Sequence, residues 1–335
     1  MQDKAFLEAF NDDFINETME QCNHLASICV ESVASAAYNN VIFEEALSEE
    51  VLEEGKNFDK FKDNVKGAGR KVGNAAFKAV QALKMFFKNI YNKIRVAINE
   101  FIQNQSVKNT VKAVKDYEAN SKDRAGQTVE VPVYRLRADL VFFNNFAALK
   151  SIIVDSSYND KTSEEEAEDK LVAKVVDYMN SGLGLNLGEA KRALSKASSL
   201  AEVARIMTSI TKYGKDKQQM KISEIIKSGV YEVKDTDAQL KKDYQKGVAD
   251  LTSFIKDLEK SLGGDADDKA IKMQVRLAQK VLNLQHASYI GHIHYVIAQN
   301  KILLTACSQA KKKKFEEKKD VKESVFTEFL GLDLI

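Results

Sequence analysis

Histidines, cysteines and clustered aspartates are the side chains best suited to hold a metal or activate a nucleophile, and their spacing in this chain favours neither. The histidines are His24, His286, His292 and His294. On a helix His292 and His294 would point about 200° apart, so they cannot grip one ion as an i,i+4 pair can. Cys22, Cys29 and Cys307 form an odd set without a C-x-x-C pair. That argues against a disulfide framework or a zinc site, and the three are expected as small buried core residues. Asp265, Asp267 and Asp268 begin like a calcium loop but lack its later glycine and glutamate, so a helix cap is expected there. The run Gly182 to Gly188 (GLGLNLG) lacks the preceding strand and ribose-binding context of a nucleotide site, and is assigned to a helix–helix connection. No G-x-S-x-G and no Walker loop occurs. The sequence therefore supplies no catalytic residue, no metal ligand and no cofactor site, and the expectation is that the protein is not an enzyme.

Charge is the stronger signal. The 335 residues carry a net charge of only +1. Residues 1–54, however, hold thirteen acids against the single base Lys4, whereas residues 56–125 hold sixteen bases against six acids. Within 57–104 the apolar residues Phe58, Phe61, Val65, Val72, Leu83, Phe86, Phe87, Ile90, Ile94, Ala97 and Phe101 fall on one helical face. Lys66, Arg70, Lys71, Lys78, Lys84, Lys88 and Arg95 fall outside it and are the candidate phosphate- or anion-binding residues. Three readings of this helix stay open: a core helix with a solvated basic back, an anion-binding surface, or a helix lying on a membrane. Gly67, Gly69 and Gly73 predict a break early in it.

The elements that must position these residues are helical. One proline and no tryptophan, with abundant Ala, Leu, Lys, Glu and Gln, predict an all-α fold. The expected architecture is an elongated helical bundle with coiled-coil-like long helices, a long C-terminal αα-hairpin and at most one short β segment near 128–134 (TVEVPVY), where Pro132 suits an edge strand. Helical spacing appears at Phe6, Phe10 and Phe14, then at Cys22, Leu25, Cys29, Val33 and Ala36. Shorter helices are expected at about 165–180, 188–198, 199–213 and 219–228, with Ser199 and Glu202 as a capping box. Two long helices follow, about 236–262 and 266–311; the second would span roughly 65 Å. Its apolar positions include Ile271, Val275, Ala278, Leu282, Tyr289, Val296, Leu303 and Ala306. The organisation expected is an acidic N-terminal segment (1–55), a basic amphipathic region (56–125), a small helical domain (126–230), the αα-hairpin (231–311), and a basic linker with an apolar tail (312–335). Val325, Phe326, Phe329, Leu330 and Leu332 of that tail must dock on this chain or a neighbour. An acidic start (Asp3, Glu8, Asp12, Asp13) predicts no signal peptide, and no apolar run is long enough to span a bilayer.

The order of an acidic helical N-terminus, a glutamate-rich junction (FEEALSEEVLEE) and a basic amphipathic helix (AFKAVQALKMFFKNIYNKI) resembles internal head proteins of large contractile-tailed bacteriophages. The resemblance covers residues 1–105. It implies a non-enzymatic virion structural protein, internal to the head and assembled in the host cytoplasm. It also implies an N-terminal propeptide removed by a maturation protease that cuts after Glu; Glu45 and Glu54 fit the site pattern at the charge boundary. The implied partners are other virion proteins and packaged DNA, met through non-specific phosphate contacts, in an oligomer or larger assembly. Two other readings remain: an α-helical membrane-active protein of the pore-forming type, and a cytosolic helical scaffold.

Overall fold

The structure is a computed structural model that describes residues 2–48, 74–120, 128–132, 146–159, 161–182, 194–208, 217–221, 223–224, 236–262 and 267–312. Its elements in chain order are α1 (Gln2–Ser48), α2 (Asn74–Gln103), α3 (Ser106–Asn120), β1 (Thr128–Pro132), α4 (Phe146–Ile153), α5 (Glu164–Gly182), α6 (Leu200–Thr208), β2 (Lys217–Lys221), α7 (Thr236–Ser261) and α8 (Asp268–Lys312). The all-α class expected from composition is the class found.

Three long helices, α1, α2 and α8, pack against one another and enclose the core. The 47-residue α1 contains no proline or glycine, so nothing interrupts its hydrogen-bond ladder. It buries Ile15, Met19, Cys22, Leu25, Cys29, Ala36 and Phe43, at three-, four- and seven-residue steps that keep one stripe inward. Of the predicted apolar face that falls in α2, Leu83, Phe86, Ile90, Ile94, Ala97 and Phe101 are buried and Phe87 is half-buried, and Val80 joins them in the core. Phe43 meets Phe86 with ring centroids 5.3 Å apart. All eight apolar positions expected along the last helix are buried, and so are Leu277, Val281, Leu284, Ile290, Ile293 and Leu304 between them. Burial therefore runs round most of α8, because α1, α2, α3 and α6 all pack on it. A helix enclosed on several sides is the axis of the fold. Its predicted companion α7 seats mainly on α2 and α4.

The expected acidic N-terminal segment is consequently part of the common core. Its inward residues belong to the same apolar cluster as those of α2 and α8. Each Leu, Ile or Phe so buried contributes about 1.5–3 kcal/mol, which a separable leader would forgo. The expected boundary at Gly55, the glycine-rich break at 67–73 and the predicted face residues Phe58, Phe61, Val65 and Val72 lie outside the described residues.

Local signals fared unevenly. Glu202 N–H donates to Ser199 Oγ at 3.2 Å, as the capping box predicts, but the Glu202 carboxylate accepts from the Ser198 N–H at 2.8 Å. A second capping box, Ser163 with Glu166, starts α5. Asp267 caps α8 by accepting from the Lys269 N–H at 3.1 Å. Asn104 breaks the basic helix from α3, its Oδ1 accepting from the Ser106 N–H at 2.8 Å. The predicted strand forms as β1, yet residues 217–221 are extended where a helix over 219–228 is expected. They pair antiparallel with β1, Val129 opposite Met220 and Val131 opposite Gln218. Cross-strand pairing decides there, a contact that periodicity within one segment cannot reveal. Val33, read as part of α1's inward stripe, sits at its margin and is partly exposed.

Candidate functional site: a polar seam inside the bundle and a charged face outside

The α1–α8 contact carries a seam of polar side chains. The two helices run antiparallel, so Asn40 of α1 meets Gln279 and Asn283, Ser32 meets His286, and Cys22 lies near Lys301. Asn40 Oδ1 accepts from Gln279 Nε2 and from Asn283 Nδ2, each at 2.7 Å. Ser32 Oγ and His286 Nε2 share a 2.8 Å hydrogen bond. Burial pushes the His286 imidazole down to about 4, and burial together with the Lys301 ammonium does the same to His294. Both rings are therefore neutral at pH 7. Burial pushes the Cys29 thiol up to about 12 and raises that of Cys22, the Ser106 hydroxyl and Lys301 ammonium offsetting part of the rise. The Lys301 ammonium is held below its usual range by burial. Charge is suppressed throughout the seam, the reverse of what an activated nucleophile requires.

A second polar group lies where α2, α7 and α8 meet. Tyr91 donates its hydroxyl to Gln285 Oε1 at 3.1 Å, and Tyr244 donates to the Tyr91 carbonyl at 3.4 Å. Gly247 permits this approach: a Cβ there would stand 2.7 Å from the Tyr91 hydroxyl oxygen. On the α5 side, Glu164 accepts from Arg276 at 2.5 Å and from Lys280 at 2.7 Å, while Lys280 also donates to Glu168 at 2.6 Å. Desolvation opposes the ionised form of Glu164, but these two cations outweigh it and hold its carboxyl below the usual range. Sequence reading missed all three groups. The buried polar residues of α8 interrupt an otherwise apolar pattern, and that was their only signal.

The predicted basic residues divide. Lys66, Arg70 and Lys71 lie outside the described residues, as do Glu54 and the tail residues Val325, Phe326, Phe329, Leu330 and Leu332. Lys78 is half-buried, and Lys84 donates to Glu259 of α7 at 2.9 Å. Lys88 and Arg95 are exposed on the outer side of α2, joined by Lys93, and Lys108, Lys112 and Lys115 are exposed on α3. The Lys112 ammonium lies 5.2 Å from the Phe14 ring centroid. Asp13, Glu17, Glu20, Glu31 and Glu44 are exposed on α1. The charge division written along the sequence is thus a division between neighbouring outer surfaces. Glu45 lies within α1, on an unbroken helix.

Among the described residues no three His, Cys, Asp or Glu side chains converge as a ligand set, and no helix is long and apolar enough to cross a membrane. Beside α4, Ala147, Lys150, Val154 and Asp155 line an open depression, in which Lys150 pairs with Asp257 at 2.6 Å. Compared with models of protein families, with curated proteins and with solved structures, the chain matches none. The fold and these surfaces define an all-α bundle built round an enclosed polar-apolar helix.

Proposed function

We propose that this chain is a non-enzymatic structural protein of a bacteriophage particle, assembled in the host cytoplasm and lodged inside the head among other virion proteins. The observation that carries the reading is the two-sidedness of α2. Its aromatic and aliphatic face lies in the core, while Lys88, Lys93 and Arg95 stand in solvent. Such a surface suits replacement of counterions on the phosphates of packaged DNA, without sequence preference. The membrane-active alternative would require Phe86, Ile90, Ile94 and Phe101 to leave the core, and nothing in the bundle favours that exchange.

Processing after Glu54 takes a modified form in this proposal. Because α1 supplies one wall of the core, a cut there nicks the chain and leaves α1 seated, held by the apolar stripe and the seam to α8. Mass spectrometry of purified particles tests the assignment, which fails if the protein is absent from them. DNA affinity measured by fluorescence anisotropy is expected to fall steeply with salt, and Lys88→Glu/Arg95→Glu to weaken binding and flatten that slope. Salt-independent binding would overturn the phosphate role.

A further inference from the structure

We propose that the outer stripe of α1 docks on the outer face of α2 in a second copy of this chain, in a head-to-tail contact. This inference does not depend on the phage assignment; because it covers Lys88, Lys93 and Arg95, a docked second copy and DNA phosphates exclude each other on that face.

An exposed apolar stripe on α1 and two exposed apolar residues on the outer side of α2 carry it. On α1, Val30, Tyr38, Val41 and Ile42 are 38, 66, 54 and 42% exposed. They lie on the side of the helix away from Leu25, Cys29, Ala36 and Phe43, so the second half of α1 is apolar both inward and outward. Twelve residue steps set the patch length at about 18 Å. Exposed Glu31 and Glu44 flank it. On α2, Met85 is 60% and Val96 48% exposed. They lie eleven steps apart, about 17 Å, with Lys88, Lys93 and Arg95 exposed between them. Large side chains gathered on one water-facing side, as along the second half of α1, mark interaction sites more often than isolated ones do.

Charge selects the pairing. Laying α1 on α1 brings the glutamates of two copies together, and laying α2 on α2 brings lysines and arginine together. Only α1 against α2 sets acid beside base at matched patch lengths. Within one copy the contact cannot form, because α1 and α2 already pack through their opposite, buried faces. Each copy therefore offers one patch of each kind. Such a contact propagates and yields a ring or an open filament.

Two variants test the geometry in the full chain. Tyr38→Lys/Val41→Lys blocks the α1 patch, and Met85→Lys/Val96→Lys blocks the α2 patch. All four positions are exposed, and circular dichroism checks that the fold is kept. Using lysine at both sites makes the two blocked patches repel each other. Sedimentation velocity of the unmodified chain is expected to show assemblies that grow with concentration and shrink with salt. Each variant alone is expected to be monomeric, and their equimolar mixture to form a dimer that grows no further. A monomeric unmodified chain overturns the proposal, and so does a mixture that stays monomeric. Self-association of the first variant would point to α2 on α2, and of the second to α1 on α1; either result also overturns it.

Discussion

Acidification should weaken this fold well before its carboxylates begin to titrate. His286 and His294 are held to about 4 in the folded chain, against about 6.5 when unfolded. As pH falls the unfolded chain takes up these protons first. Their contribution is therefore fully present above pH 6.5 and is lost as pH drops from there towards 4. Between pH 7 and pH 5.5 each histidine removes about 1.2 kcal/mol, and the pair about 2.5 kcal/mol. That is a large share of the roughly 5–15 kcal/mol by which a domain is stable. Glu164 and Asp257, whose carboxyls are held below their usual range, also lose stability as pH falls, but only once pH nears the unfolded carboxylate value of about 4.3. Urea unfolding followed by circular dichroism at pH 7, 6 and 5.5 isolates the histidine window. The double variant His286→Gln/His294→Gln should be less stable at pH 7, because the Ser32 bond and the local packing are disturbed, yet nearly flat across that window. Each single variant should remove about half the slope. An unchanged slope in the double variant would show that other groups carry the pH dependence.

Further expectations concern packing and ion pairs. Leu25→Ala removes a fully buried side chain from the α1 stripe, and should cost about 3 kcal/mol in the urea midpoint at pH 7. Gly247→Ala places a methyl 2.7 Å from the Tyr91 hydroxyl and should cost about 1–2 kcal/mol; adding Tyr91→Phe should return part of the loss in a double-mutant cycle. Lys280→Met leaves Glu164 paired with Arg276 and Glu168 held by the Leu200 N–H, and should lower stability by about 1 kcal/mol after allowance for solvent screening of this partly exposed network. Raising the salt concentration should narrow the difference between that variant and the unmodified chain.

What the sequence made legible follows from the range of each interaction. The class of the fold, the start of α8 at Asp267 and the capping box at Ser199 rest on neighbours three or four residues apart, and their patterns are visible in one segment. The inward stripe of α1 was legible at Cys22, Leu25, Cys29 and Ala36 for the same reason. Val33 stands at the edge of that stripe, about 60° from its centre, and is partly exposed; period alone does not say how wide the covered face is. The β2 strand depends on β1, some ninety positions away. The polar seam depends on Ser32 and His286, which are 254 positions apart; nothing in either local pattern announces the other. The charge break near residue 55 was clear, but its meaning was not. It looked like a boundary between separable parts, and in the fold it divides two adjoining faces of one bundle. The basic residues form one set in the sequence, yet among the described ones Lys84 is engaged with Glu259, Lys78 is half-buried, and Lys88 and Arg95 are exposed.

The enclosure of α8 has a consequence for synthesis. The helix that α1 and α2 need as a partner is the last of the described elements to leave the ribosome. At about 5–20 residues per second, Ser32 waits roughly 10–50 s for His286 to be made. Through that interval the earlier helices must keep their sticky sides in water, or lean on each other and on chaperones. A dense acidic coat on the first of them supplies electrostatic repulsion between neighbouring nascent chains during the delay. The bundle should close only after translation has passed the end of the axis, so a premature stop within α8 should yield aggregates rather than a smaller soluble fragment.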